Sequence, residues 1–305
     1  MMKSLSIVAV GLIALANVVS AHVPEDKILG AWQWPTSHLP VLDGDISEWE
    51  VLPEELWIEI NEQDFGGDLG TTKEIDVSDM WFRVAVSWHD ETDRLYYVID
   101  RFDDLWDRDG GGYGDSGNDD SIEIGVDADH SGDWYFTLDR GLPEEELMRL
   151  DGSHAQTYHY RWPAIEPEGW NWFWMNSSTW HDEEPYSCCA DSFTLDGSHG
   201  TQATLKAEWY TVAWDDFNFQ GPEQSVQHDL VELEIIGLGI AVIDNDISPS
   251  QEDKRFGRFI LGGQNDVFGN ASSFTDFVLL PVDEERLPTA VESDTWGSIK
   301  SYFME

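Results

Sequence analysis

The sequence predicts an all-β protein, an antiparallel β-sandwich of jelly-roll or immunoglobulin-like layers, and three observations predict it. Short apolar–polar alternations recur from residue 81 to residue 280, and a period of two marks a strand with one buried face. Turn-forming clusters of Gly, Asp, Asn and Pro divide these runs. Helical periodicity is confined to a short run from Pro143 to Leu150 and to the C-terminal tail.

In chain order, residues 1–21 come first, with a basic Lys3, an apolar stretch from Leu5 to Ala16 and small residues at Val19, Ser20 and Ala21. This is the pattern of a secretory signal peptide cleaved after Ala21. The apolar stretch is short of the ~20 residues that a membrane span requires. The expected location is secreted, periplasmic or cell-surface, with no membrane insertion after signal cleavage. Cleavage there would leave His22 at the amino terminus, where amine and ring together chelate copper. No other histidine stands out by spacing as its partner.

Residues 22–40, with Trp32, Trp34, Pro35 and Pro40, read as an extended lead-in. A sandwich domain over residues 41–281 follows. In its opening VLDGDISEWEVLP, Asp43, Gly44 and Asp45 make a tight turn, and Trp49 is placed to cover one end of the sandwich.

The stretch from residue 79 to 138 is the scaffold. Phe82, Val84, Val86 and Trp88 point to one side, the polar run His89 to Arg94 turns the chain, and Leu95, Tyr97 and Ile99 return as an antiparallel partner. A third run places Ile122, Ile124 and Val126 inward and Ser121, Glu123 and Asp127 outward. Between the second and third runs lies a loop too rich in Asp and Gly to pack as core.

A Trp-rich insertion at about residues 140–202 comes next, holding Trp162, Trp180, the alternating Trp170, Trp172 and Trp174, and both cysteines. Three indoles on one face of an extended segment form either a platform for sugar rings or a lid buried on the sandwich. Cys188 and Cys189 are adjacent, so they either form a vicinal disulfide or stay as thiols, and no long loop is closed by them. Beyond the insertion, Leu205, Ala207, Trp209 and Thr211 alternate against Lys206, Glu208 and Tyr210. The nearly continuous apolar run Ile235 to Ile243 reads as a strand covered on both faces. Residues 282–305 are a linker and tail. Trp296, Ile299 and Phe303 fall on one face of a short C-terminal helix that Asp294 can cap, a surface for a protein partner or for docking on the sandwich.

Composition narrows the function. Across 305 residues, Lys+Arg 16 against Asp+Glu 61 gives a formal net charge of -45. Phosphate binding needs a basic face, so nucleic acid is excluded as a partner, and so are anionic membrane surfaces. The 16 Trp and 41% hydrophobic content separate the chain from disordered acidic tails. Such acidity suits a salty or calcium-containing medium, where carboxylate repulsion is screened or relieved by bound cations. There is no GxSxG elbow, no HExxH and no P-loop. Acidic pairs are too numerous to single out a glycosidase, and the chain reads as non-catalytic.

Taken together, DGDISEW at residues 43–49, WFRVAVSWHDETDRLYYVIDRFD, NDDSIEIGVDAD, IGLGIAVIDND and the closing FTDFVLLP resemble the family 9 carbohydrate-binding modules and their wider relatives. The resemblance spans about residues 41–281. It implies an antiparallel sandwich, structural calcium, and a polysaccharide or oligosaccharide held between two aromatic rings, without catalysis. In the family one ring comes from the loop before the SIEIGVD-like run, where this chain offers Trp106 and Tyr113. The other comes from the segment before the last strand, where Phe268 is the nearest aromatic and Trp is absent, so that Trp170, Trp172 and Trp174 would supply the missing wall. Distant relatives of the sandwich bind haem. Met80, Met175 and His89 are the residues here that fit axial ligation, although no CxxCH is present. A surface or assembly protein that has kept the sandwich and lost the clamp is the other alternative.

The calcium candidates are oxygen-rich turns. Asp127, Asp129 and Ser131 occupy the first, third and fifth positions of a calcium loop, with Gly132 sixth and Asp133 next, although Leu138 stands where a bidentate Glu belongs. Asp43 and Asp45 offer a second set, and Asp244 and Asp246 a third. Asp103, Asp104, Asp107 and Asp109 are denser, but their spacing fits no fixed ligand pattern.

Overall fold

The computed structural model describes residues 27–68, 75–108, 119–136, 141–165, 169–173, 180–181, 183–195, 200–246 and 257–287. The predicted signal segment, His22, Asp109, Tyr113, Trp174, Met175 and the tail helix predicted from Trp296 lie outside these residues, as do the side chains of Trp170, Trp172 and Cys189.

The described strands are β1 (Ile28–Gln33), β2 (Ile58–Glu59), β3 (Phe65–Asp68), β4 (Met80–His89), β5 (Arg94–Asp103), β6 (Ser121–Asp127), β7 (Gln156–Ile165) and β8 (Gly169–Phe173). They continue with β9 (Ser187–Leu195), β10 (Ala203–Val212), β11 (Trp214–Asp216), β12 (Val226–Gln227), β13 (Ile235–Asp244), β14 (Gly257–Leu261) and β15 (Thr275–Leu279). One short helix, α1 (Glu144–Leu150), lies where the sequence places it.

They form a β-sandwich. The first sheet runs β8-β7-β6-β13-β15-β1, with β14 along the second half of β13 and β3 beyond it. The second runs β1-β4-β5-β10-β9, with β2 on the edge of β4. The lead-in is therefore part of the fold. Ile28 to Ala31 pair with β15 and Trp32 and Gln33 with β4, both in parallel, so β1 crosses between the layers. Every other pairing is antiparallel. The predicted insertion is likewise built into the sheets, because β7 continues the first beside β6 and β9 the second beside β10.

The hairpin reading holds residue by residue. Val84 pairs with Ile99, Val86 with Tyr97 and Trp88 with Leu95. These side chains face Ile122, Ile124 and Val126 across one hydrophobic core. Trp209 from the second sheet meets Tyr160 at 5.1 Å and Trp162 at 5.3 Å from the first, which closes the core with offset rings. β13 is covered on both faces, as its continuous apolar run requires.

Neither outer face is simply solvated. Ser121, Glu123 and Asp127 point away from the core shared by Ile122, Ile124 and Val126, as read from the sequence, yet all three are buried. On the first sheet, Phe274 lies over Gly125 and Gly239, where a Cβ would stand 2.3 and 2.8 Å from its ring. On the second, residues 32–57 fold back over Ala85, Tyr96, Val98 and Tyr210 as a smaller cluster around Trp49. Trp49 thus covers a sheet face and not an end. Glu208 anchors it there, accepting from the Trp49 Nε1 and from the backbone amides of Asp43 and Gly44.

Candidate functional sites

Two polar clusters on this scaffold are built like sites. The first lies on the outer face of the first sheet. Glu123 in the middle of β6 stands opposite His159 of β7, and the next position across the ladder, beside His159, is Trp172 of β8. The Glu123 carboxylate takes an ion pair from Arg258 of β14 and lies 3.4 Å from His159 Nδ1. The Arg258 guanidinium lies 4.3 Å over the Phe268 ring, a cation–π contact. Acid, guanidinium, imidazole and aromatic ring thus meet on one face, with Glu123, His159 and Phe268 buried within it, and this is the mixture a sugar site needs for hydroxyls and for C–H faces. Phe268 is 6% exposed, so its ring serves this surface through Arg258 and offers little open face of its own.

Sequence reasoning reached Phe268 and placed Glu123 on this face, but missed their partners. Arg258 is 135 residues from Glu123, and nothing local marks the pair. The one available signal was a Glu flanked by Ile122 and Ile124 in a strand that is buried along its length, a position that demands a cation.

Trp106 does not belong to this face. It is 2% exposed, lies 5.0 Å from Phe193 in edge-to-face packing, and carries the Arg101 guanidinium 4.8 Å from its ring. Its backbone is tied to Thr201 and Gly200. A ring packed this way is part of the core and has no free face for a sugar, which corrects its assignment as a wall of the cleft. Among the described residues, the exposed indole is one that the sequence reading passed over: Trp134 is 50% exposed, with Gly269 beneath it. The haem alternative loses its described ligands. Met80 and His89 are buried at opposite ends of β4, and both ring nitrogens of His89 contact the hydroxyls of Thr36 and Thr92.

The predicted calcium loop is closed by its own backbone. Asp127 accepts from the amides of Ser131 and Gly132, Asp129 from Ser131, and Asp133 from Trp134. Asp43 accepts from the amide of Asp45, and Asp45 from that of Ser47. These carboxylates shape turns, and among the described residues no three of them bring oxygens within 4.8 Å of one another.

Convergence occurs in the second cluster, at the end of the sandwich. Oxygens of Asp79, Asp104 and Asp246 lie within 4.8 Å of one another, and so do those of Asp103, Asp244 and Asp246. Arg101 is the cation here, bonded to Asp103 and, at 2.6 Å, to Asp120. Burial, with repulsion from neighbouring carboxylates, pushes Asp79 up to about 6, Asp246 up to about 7 and Asp244 up to about 8.

With this geometry in place, comparison with known proteins is informative about the fold. No family model and no curated protein matches the sequence. Among solved structures, a family 9 carbohydrate-binding module from Caldicellulosiruptor kristjanssonii in complex with cellotriose superposes with a TM-score of 0.51 at 11% identity, covering 86% of this chain and 98% of that one. A family 9 module from the same organism in complex with glucose gives 0.48 at 10% identity, over 86% of this chain and 100% of that one. The chain therefore has the β-sandwich fold of a family 9 carbohydrate-binding module.

Proposed function

We propose that the protein is an exported, non-catalytic carbohydrate-binding protein that holds an oligosaccharide or polysaccharide on the outer face of its first sheet, with calcium as a structural ion. The carrying observation is the meeting of Glu123, His159, Arg258 and Phe268 on one face. Charged groups held by one another are pre-oriented for sugar hydroxyls, and the ordering cost is met on folding instead of on binding. The fold supports the same reading, since the module that it resembles was solved with cellotriose. Export rests on the signal pattern of residues 1–21.

Affinity electrophoresis against a broad panel of soluble and insoluble glycans tests this. Retardation by at least one glycan is expected, and Arg258→Ala and Glu123→Gln should weaken it at least tenfold while circular dichroism stays unchanged. No retardation by any member of the panel would remove the reading.

The alternative, an assembly protein, draws support from β8, which carries Trp170 and Trp172 and lies last in the first sheet among the described strands. An open edge is a template for another strand. Concentration-dependent self-association in light scattering, with no glycan retardation, would favour it.

A further inference from the structure

The acidic cluster at the end of the sandwich has more negative charge than the described residues around it neutralise. Arg101 serves Asp103 and Asp120. Asp79, Asp104, Asp244 and Asp246 have no ion-pair partner among the described residues. Carboxylate oxygens of Asp79 and Asp104 lie within 4.8 Å of each other, and like charges that close repel unless a proton or a cation lies between them. Asp244 is 1% exposed, and its Oδ1 is buried with no hydrogen-bond partner among the described residues, while other groups of the cluster lie within reach. Oδ1 of Asp246 is in the same position. A buried carboxylate oxygen without a donor is costly unless something positive occupies the space beside it.

The donors are all oxygen, with no His or Cys among them, which selects hard cations over zinc or copper. Calcium–oxygen distances of about 2.4 Å allow one ion to touch oxygens up to about 4.8 Å apart, and calcium tolerates irregular geometry completed by water. The observed separations meet that limit.

We infer that Asp79, Asp104 and Asp246 hold a calcium-class divalent cation, with Asp244 and Asp103 as the inner carboxylates of the same site. This deepens the calcium part of the proposed function and is independent of its glycan part. The ligands come from both layers. Asp79 precedes β4 and Asp104 follows β5 in the second sheet, whereas Asp244 ends β13 in the first and Asp246 follows it. Two direct ties already exist at this end: the amide of Asp104 donates to the Asp79 carbonyl at 2.9 Å, and the amide of Asn245 donates to Asp120 at 3.1 Å. The cation would act as a clip across the open end of the sandwich, joining strands that no backbone ladder joins there.

The test is calorimetric titration and thermal denaturation of the chelator-stripped full chain with calcium chloride, magnesium chloride as the comparison, and no glycan present. Calcium should raise Tm by about 5 °C at a hundredfold excess over Kd. Asp246→Asn should abolish that rise and, because it removes repulsion, should melt no lower than the stripped wild type. Asp79→Asn is the second variant, expected to behave alike, and it decides the matter if Asp246→Asn does not fold. Absence of both heat and Tm shift at millimolar calcium overturns the site. An undiminished calcium shift in the folded variants, or one lost instead in Asp129→Asn, overturns it as well by placing the ion elsewhere. A calcium shift without glycan retardation leaves this site standing and removes only the sugar reading.

Discussion

The indole Nε1 of Trp49 donates to the carboxylate of Glu208 at 2.9 Å, across 159 residues of chain. The other carboxylate oxygen accepts from the amides of Asp43 and Gly44 at 2.9 and 3.0 Å. One buried acid therefore fixes the entire N-terminal cover to β10. Gly44 makes the close approach possible, since its φ is +83° and a Cβ there would lie 2.5 Å from the backbone of Asp191.

Glu208→Ala leaves three donors without an acceptor, two of them buried. A loss of about 2–4 kcal/mol is expected in urea denaturation. Glu208→Gln keeps one acceptor oxygen and should lose less. Equal losses for the two would contradict the anchoring role.

The ring of Phe274 rests on Gly125 and Gly239, with a Cβ on Gly125 predicted to meet it at 2.3 Å. Gly125→Ala should overpack this face and cost about 1–3 kcal/mol. In a Phe274→Leu background the penalty should shrink, because the atoms it collides with are gone. A double-mutant cycle with no coupling would show that the contact is not the cause.

His228 lies between Asp215 at 2.5 Å and Glu234 at 3.1 Å. Burial works against its charge, but the hydrogen bonds to the two acids outweigh it and raise the imidazole above its ordinary value. A raised folded-state pKa stabilises most below the unfolded value of about 6.5, and that contribution fades as pH rises through the folded pKa. The Tm gap between wild type and His228→Gln should be widest in mildly acidic buffer and narrow at alkaline pH. A gap constant with pH would refute the linkage.

Trp106→Ala should act on stability. Removing an indole with 2% exposure, packed against Phe193 and Arg101, costs about 3–5 kcal/mol and strips the cover from a buried cation. The check is the denaturation midpoint. If stability were unchanged and only glycan retardation were lost, Trp106 would be a ligand contact after all.

Much of the fold is legible along the chain, and the site much less so. The inward sets Phe82, Val84, Val86 and Trp88, and Ile122, Ile124 and Val126, could be read because a strand imposes a period of two on its own residues. The opposite faces misled for the same reason. Glu123 and Asp127 look solvated when only their own strand is considered, yet both are buried, Glu123 against Arg258 of β14 and Asp127 within the turn that follows it. Trp106 was misplaced because a loop aromatic can turn either way, and local sequence does not say which.

The sequence by itself determined the strands, their buried faces, the acidic character of the chain and the export pattern at its start. These are properties of composition and short-range periodicity. Only the tertiary structure decided that β1 joins the two layers in parallel, that Arg258 answers Glu123, and that Asp79 and Asp104 meet Asp246 while, among the described residues, Asp127, Asp129 and Asp133 form no such trio. Such pairings follow from strand order and loop closure across the sandwich, and a carboxylate's local spacing carries no record of which distant strand end will lie beside it.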